Sequence, residues 1–316
     1  MKPIEMLTQT LELIAALAAA PLFLGWVNQC RAWLQNRRAP SIWLPYRGIR
    51  KLFHKDAVIA ERASPLFRVA PYIVFGSMAV AAGVIPSMGT RLPFTIAADA
   101  IALVGLLATA RVFLSLAAMD IGTAFGTLGA RREMMVGFLA EPALLMIIFV
   151  ASMISATTAL PTIAENLATQ TLALYPSLAF TAVAFVLVLL AENARIPIDN
   201  PTTHLELTMI HEALLLEYSA RHLALMEWAA ALKLFNYACI GFALFIPWGI
   251  STGADSPAAL LGSIPLLAVK LAATGAGLAL IETTSAKLRV FRAPEFLASA
   301  FLFAVLGLLV HLLLGA

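Results

Sequence analysis

Eight uninterrupted apolar stretches, each long enough to cross a lipid bilayer as a helix of about 20 residues, constrain the fold of this chain more than any other feature. Hydrophobic residues make up 61% of the 316 positions and charged residues 12%, so lipid rather than water must solvate much of the surface. The stretches are too long for barrel strands. We therefore predict an all-α polytopic membrane protein, a single membrane domain over residues 1–316, with spans near 6–28, 69–89, 94–117, 134–158, 171–191, 228–250, 258–281 and 295–315.

The distribution of positive charge predicts how this bundle is oriented. The loops after spans one, three, five and seven carry 16 of the 21 Lys and Arg residues, whereas the opposite side carries only Lys2 and Arg91. Basic loops stay on the cytoplasmic side. We therefore expect a bacterial inner-membrane protein with both termini in the periplasm. Because topology accounts for the basic residues, no nucleic-acid partner is expected.

The predicted cytoplasmic loops are long, and the external ones are short. Loop 29–68 carries Trp33, Trp43 and Tyr46 among Arg and Lys residues, a composition typical of a segment at the membrane interface. Loop 118–133 contains three glycines but neither the GxGxxG nor the P-loop pattern, so it is predicted to be a compact turn. A membrane protein with its longest loops on one side is expected to bind a partner there.

Ionisable residues inside the predicted spans are costly and usually mark a pathway or a cavity. Glu141 and Lys270 lie well inside spans four and seven. Asp99, Glu227 and Glu282 lie near span ends, where the simpler interpretation is that their side chains reach the interface or form pairs. Glycines 275 and 277 would allow close helix packing.

The loop after span five is rich in acids and histidines. Asn200-Pro201 and the capping-box pattern of Thr203 and Glu206 predict a helix over about 201–222. Residues seven and eleven positions apart would share a face of that helix, aligning the histidines in one row and two glutamates in another. Such rows are suited to proton transfer or to lining a polar cavity. A metal site is the weaker interpretation, because Leu215 breaks the HExxH spacing and neither Cys30 nor Cys239 belongs to a CxxC pair.

Three segments resemble one family of membrane proteins. AENARIPIDNPTTHLEL, with the residues that follow to Phe235, QNRRAPSIWLPYRGIRKLF and MDIGTAFGTLGARREMMVGFLAEPALL are similar to the membrane subunits of group 4 nickel–iron hydrogenase complexes, the formate hydrogenlyase and hydrogenase-4 type. These subunits are homologous to the quinone-site membrane subunit of respiratory complex I. The resemblance extends over essentially the whole chain and agrees with eight spans.

The resemblance implies a subunit with no catalytic centre, metal or cofactor of its own, which anchors a soluble hydrogen-evolving module. The nickel–iron centre and the iron–sulfur clusters would lie in partners, namely the hydrogenase large and small subunits and an iron–sulfur protein, and antiporter-like subunits would lie alongside in the membrane. Together with the acid pattern, it assigns proton or ion coupling to Glu141, Glu192, Asp199, Glu206, Glu212, Glu217 and Lys270. It assigns partner docking or the cavity wall to Arg37, Arg38, Pro40, Arg195, His204 and His211.

Two alternatives remain at this point. Ala39, Leu44 and Ile198 depart from the complex I pattern and favour the hydrogenase branch, which leaves quinone binding open. One alternative is therefore a complex I-type subunit that forms a quinone pocket. The other is a free-standing secondary ion transporter, which would function when expressed alone. The sequence does not indicate the electron donor or which ion is moved.

Overall fold

The computed structural model describes residues 3–60, 63–90, 92–93, 99–169, 176–199, 210–251, 257–289 and 292–314. These residues form helices and connecting turns, with no strand beyond an isolated bridge between Gly89 and Ser251. The helices are α1 (Pro3–Leu34), α2 (Leu44–Phe53), α3 (Pro65–Val84), α4 (Ala100–Asp120), α5 (Ala124–Ser155), α6 (Leu160–Thr169), α7 (Pro176–Glu192), α8 (His211–Leu215), α9 (Ala220–Phe245), α10 (Pro257–Thr284) and α11 (Ala293–Leu314).

The helices correspond to the predicted spans. Seven of those described are long and apolar enough to cross a membrane, namely α1, α3, α4, α5, α9, α10 and α11. The remaining predicted span, the fifth at 171–191, corresponds to α7, an apolar helix of 17 residues that begins at Pro176, after a stretch outside the described residues. The prediction of an all-α polytopic membrane protein is confirmed.

Side-chain caps set the starts of three spanning helices. The Ser64 hydroxyl accepts from Leu66 N at 3.1 Å, the Asp99 carboxylate from Ala102 N at 2.9 Å, and the Thr123 hydroxyl from Gly126 N at 3.3 Å. Such caps satisfy N–H groups that have no partner within the helix. Asp99 therefore lies before α4 rather than inside a span. The predicted compact turn over 118–133 is wrong, because only residues 121–123 separate α4 from α5.

Helix α9 is the central element of the bundle. It is buried along most of its length and packs against α1, α2 and α3. On one side of it, α10 packs against α1; on the other, α3, α4, α5 and α7 follow in sequence, and α11 covers α5 and α7. The side chains that meet at the centre of the molecule therefore come from helices that are far apart in sequence.

The predicted helix over 201–222 is not one helix. Residues 200–209, which include His204 and Glu206, lie outside the described residues. Helix α8 ends at Leu215, and α9 begins at Ala220, whose φ of 47° is left-handed. The Tyr218 ring stacks on Phe67 at 4.1 Å and its hydroxyl donates to the Phe67 carbonyl at 3.2 Å, which fixes the break between the two helices. His211 and His222 therefore do not share one helical stripe.

Only one of the two glycines predicted to allow close packing does so. A Cβ on Gly275 would lie 2.6 Å from Trp26 Cδ1, whereas a Cβ on Gly277 would have no neighbour within 4 Å. The indole of Trp26 lies against this surface and donates to the Ala272 carbonyl at 2.9 Å. Gly275 is therefore required where α10 crosses α1, and Gly277 is not.

We predict that alanine at these two positions affects the stability of the protein differently. Gly275→Ala should lower the thermal stability of the purified protein, because overpacking costs about 1–3 kcal/mol. Gly277→Ala should leave it unchanged or raise it, since alanine is favoured over glycine in a helix by up to about 1 kcal/mol. The measurement is the unfolding temperature in detergent, and equal effects of the two substitutions would contradict the packing assigned to Gly275.

Candidate functional site

Four spanning helices bring charged side chains together around Arg111 of α4. Arg111 Nη1 lies 2.8 Å from Glu141 Oε1, and Arg111 Nη2 contacts Glu192 at the end of α7. Arg111 Nε forms a longer ion pair of 3.6 Å with Glu133, and Lys233 Nζ of α9 lies 3.0 Å from Glu192. We call these five residues the Arg111 cluster.

The Arg111 cluster is buried to different depths. The side chains of Arg111 and Glu192 are 5% and 1% exposed, whereas that of Glu141 is 33% exposed. Three carboxylates and two cations give the cluster a formal charge of −1, so its charges are nearly balanced. Balance is required, because an isolated charge in a low-dielectric interior is strongly unfavourable. Gly137 leaves room for this arrangement, since a Cβ there would collide with the Arg111 guanidinium.

A second buried group of charges lies around Glu282 of α10. Arg195, in the segment after α7, donates from Nη1 to Glu282 Oε1 at 3.1 Å. Arg31 of α1 lies 3.5 Å from Glu282 Oε2. We call these three residues the Glu282 cluster. Since Glu282 is 3% exposed, its contacts tie α1, α10 and the segment after α7 together, so Glu282 pairs with cations rather than reaching the interface.

Asp199 organises the segment between α7 and α8. One carboxylate oxygen accepts from the backbone N–H groups of Ile210 and His211 at 3.2 and 3.1 Å, and the other lies 3.3 Å from Lys287 Nζ.

Burial lowers the pKa of His211 against the opposing influence of nearby Glu133. His211 is therefore a neutral imidazole near neutral pH, able to donate and accept a hydrogen bond.

A cavity of about 590 Å³ lies between these two clusters. Its wall combines leucines of α1, α8 and α9 with Glu192, Lys233, Arg31 and Arg195 from the clusters. A void of about 30 Å³, large enough for a water molecule, shares His211 and Lys233 with the cavity and reaches Arg111 and Glu133. Polar groups therefore extend from the cavity into the centre of the bundle. The other polar residues of the cavity wall are Asn28, Asn193, Asp199, Glu212, Tyr218 and Glu227.

The predicted site residues that the structure describes lie in four places. Those at the Arg111 cluster or on the cavity wall are Glu141, Glu192, Arg195, Asp199, His211 and Glu212. Arg37, Arg38 and Pro40 lie in the link between α1 and α2, where both arginines are exposed and the Pro40 carbonyl accepts from Gln29. Glu217 is exposed at the break before α9. Lys270 lies away from both clusters and donates to the Ile246 carbonyl at 2.6 Å, at the end of α9.

Sequence reasoning did not assign the residues that hold the clusters together. Arg111 and Lys233 fall within the predicted spans 94–117 and 228–250, but nothing in the local sequence indicates that both contact Glu192. Glu133 lies in a stretch interpreted as a loop, and Arg31 was counted only as a basic loop residue. The available signal was balance, since each acid deep in a span requires a cation from another span.

Comparisons with known proteins agree with this architecture. The chain matches the model of the NADH dehydrogenase family over residues 8–313. It is 36% identical over 239 residues to hydrogenase-4 component C of Escherichia coli K12, covering 75% of this chain and 74% of that protein. It is 31% identical over 297 residues to formate hydrogenlyase subunit 4 of the same organism, covering 94% and 95%.

A solved structure has the same fold. A chain of the membrane-bound sulfane sulfur reductase, an archaeal respiratory membrane complex, superposes with a TM-score of 0.81 at 20% identity, over 96% of this chain and 97% of that one. Together with the relatives, whose names are those of subunits of oxidoreductase complexes, the family match is decisive. The chain belongs to the NADH dehydrogenase family, that of NADH dehydrogenase subunit 1, in which its relatives include the formate hydrogenlyase and hydrogenase-4 membrane subunits.

Proposed function

We propose that this chain is the membrane-anchor and ion-coupling subunit of a nickel–iron hydrogenase complex related to formate hydrogenlyase. The observation that carries the proposal is the continuity between the cavity and the Arg111 cluster, through Glu192 and Lys233, which are shared by both. The relatives support it, because formate hydrogenlyase subunit 4 is similar over nearly the whole length of both chains. The proposal places the soluble hydrogen-evolving module over the end of the bundle that contains the cavity.

The Arg111 cluster suits coupling because one cation, Arg111, is shared between several acids. Arg111 contacts three carboxylates, and Glu192 is shared by Arg111 and Lys233. Charges about 4 Å apart interact by about 4 kcal/mol at an effective dielectric constant of 20. A shift of Arg111 toward one acid therefore weakens its hold on another, which then takes up a proton more readily. A charge change at the cavity would be transmitted in this way to Glu141.

The metal centres belong to partner subunits in this proposal. The nickel–iron centre and iron–sulfur clusters lie in the hydrogenase large and small subunits and an iron–sulfur protein, and antiporter-like subunits lie beside this chain in the membrane. The complex is placed in the bacterial inner membrane with both chain termini in the periplasm, on the basis of the 16 basic residues in one set of loops.

A quinone pocket is the second candidate function. A volume of about 590 Å³ and a wall of leucines with a few polar groups fit the general character of small-molecule sites. The His211 imidazole and the Lys233 ammonium on that wall are hydrogen-bond donors suited to the carbonyl oxygens of a quinone head group. Turnover measurements on the complex distinguish this candidate from the first.

The coupling role predicts a specific defect for Glu141→Gln. The substitution removes a carboxylate that accepts from Arg111 at 2.8 Å, and its partial exposure makes the loss tolerable for folding. We expect the complex to assemble and evolve hydrogen but to translocate fewer protons per hydrogen released, measured in proteoliposomes with a pH-sensitive dye. Glu295→Gln, which alters an exposed acid at the start of α11, is the matched control. Unchanged proton translocation in both variants would mean that Glu141 is structural.

The proposed docking role predicts that the exposed arginines between α1 and α2 help to retain the soluble module. The double substitution of Arg37 and Arg38 by alanine should increase loss of the soluble module as ionic strength rises, because exposed charge pairs are screened by salt. Co-purification of the hydrogenase subunits at increasing salt is the measurement. Arg292→Ala removes another exposed arginine and serves as the control. Equal retention of the module in both variants would argue against docking at this link.

Purification of the native complex separates the candidate functions. We expect hydrogenase subunits to co-purify and hydrogen evolution to proceed without added quinone. Quinone reduction in a complex without hydrogenase activity would favour the pocket instead. Ion transport by the chain expressed alone, without partners, would exclude both and identify a free-standing transporter.

A further inference from the structure

A buried carboxyl group lies in the half of the bundle opposite the cavity. Glu12 of α1 is fully buried, at 0% exposure. Leu24 is the cavity-wall residue of α1 nearest to it in sequence, and it lies twelve residues further along the helix. At 1.5 Å per residue the two positions are about 18 Å apart along the axis. Glu12 therefore belongs to neither the Arg111 cluster nor the Glu282 cluster.

Backbone donors fix one oxygen of Glu12. Oε1 accepts from Gly89 N at 2.6 Å and from Met88 N at 3.0 Å, in the turn after α3. The same turn is joined to the turn after α9, because Ser251 N donates to the Met88 carbonyl at 2.8 Å and Thr90 N donates to the Ser251 carbonyl at 3.2 Å. Glu12 thus binds the place where the two turns meet through Oε1, and Oε2 takes no part in these contacts.

Glu12 Oε2 and Gln9 Oε1 are both buried, and neither has a hydrogen-bond partner among the residues that the structure describes. The amide orientation of Gln9 is set by its Nε2, which donates to the Gly83 carbonyl at 2.8 Å. Its remaining atom is therefore the oxygen, which only accepts. Gln9 and Glu12 are three residues apart and so lie on the same face of α1. Each of these two buried oxygens lacks a donor among the described residues, and one shared proton would serve both.

Surrounding charges do not neutralise Glu12. No salt bridge joins it to a cation within the described ranges. Cys239 of α9 is a buried free thiol that lies within electrostatic range of both Glu12 and Lys270. The Lys270 ammonium donates to the Ile246 carbonyl and lies over the Phe242 ring. An ionised Glu12 would then be a buried carboxylate with one oxygen unsatisfied and no counter-ion among the described residues, which is strongly unfavourable.

We propose that Glu12 and Gln9 form a proton-binding site, in which Glu12 is a neutral carboxylic acid whose Oε2–H donates to Gln9 Oε1. A proton on Oε2 supplies the donor that both atoms lack and removes the buried charge. It leaves Oε1 free to accept from Met88 and Gly89, as observed. The site is independent of the coupling role proposed for the Arg111 cluster, because it shares no residue with that cluster.

Infrared difference spectroscopy of the purified complex tests the protonation state. We expect the spectrum of the wild type minus that of Glu12→Gln to contain a carboxylic-acid C=O band that shifts in D₂O. Glu12→Gln is a conservative variant, because its carbonyl keeps the two backbone contacts and its amide donates to Gln9. The matched control, Glu295→Gln at an exposed position, should instead show carboxylate bands. Carboxylate bands for Glu12 would overturn the proposal.

A second variant tests the partner of the proton. Gln9→Leu removes the acceptor, so the acid band of Glu12 should move, because its O–H loses a hydrogen bond. An unmoved band would mean that Gln9 does not accept this proton. Sodium titration excludes a bound cation as the missing partner: we expect the unfolding temperature of the wild type and of Glu12→Gln to respond alike to sodium. Stabilisation by sodium of the wild type alone would reassign the site to a cation.

Discussion

The pairing of Arg111 with carboxylates from other helices is the interaction on which the centre of this bundle depends. In a membrane, helix association gains little from the hydrophobic effect, so packing and polar contacts decide which helices meet. Arg111 binds α4 to α5 through Glu133 and Glu141 and to α7 through Glu192. Lys233 then adds α9 to the same network. Removal of Arg111 would leave the buried carboxylates of Glu133 and Glu192 with Lys233 as the one remaining cation of the cluster, so Arg111 favours this arrangement of the four helices.

The need of buried charges for partners also shapes the wall of the cavity. The segment after α7 buries Ile198 against the bundle and is also fastened by ions: Arg195 binds Glu282, and Asp199 binds Lys287 and two backbone N–H groups. Its charged side chains are thus held at the cavity rather than released to solvent. A polar chamber at the end of an apolar bundle is the consequence, and it is continuous with the Arg111 cluster through Glu192.

The sequence predicted the spans well and the site only in part, for a physical reason. Apolar length is a local property, and each of the eight predicted stretches corresponds to a helix. Helix continuity after residue 201 was inferred from local caps and spacing, but the break before α9 depends on the contact of Tyr218 with Phe67, 151 positions away. The resemblance to hydrogenase membrane subunits identified Glu141 and Glu192. It did not identify Arg111 or Glu282, because their roles follow from partners on remote helices.

Buried acids in this chain fall into two states according to what surrounds them. Glu192 and Glu282 each contact two cations, so their ionised forms are stabilised where they lie. Glu12 accepts from two backbone N–H groups and forms no ion pair with a described cation, so in our proposal it keeps its proton. An ion pair responds to a change of charge nearby, whereas a neutral acid responds weakly. The ion pairs in the half of the bundle with the cavity are therefore electrically responsive, whereas Glu12 in the opposite half, in our proposal, is not.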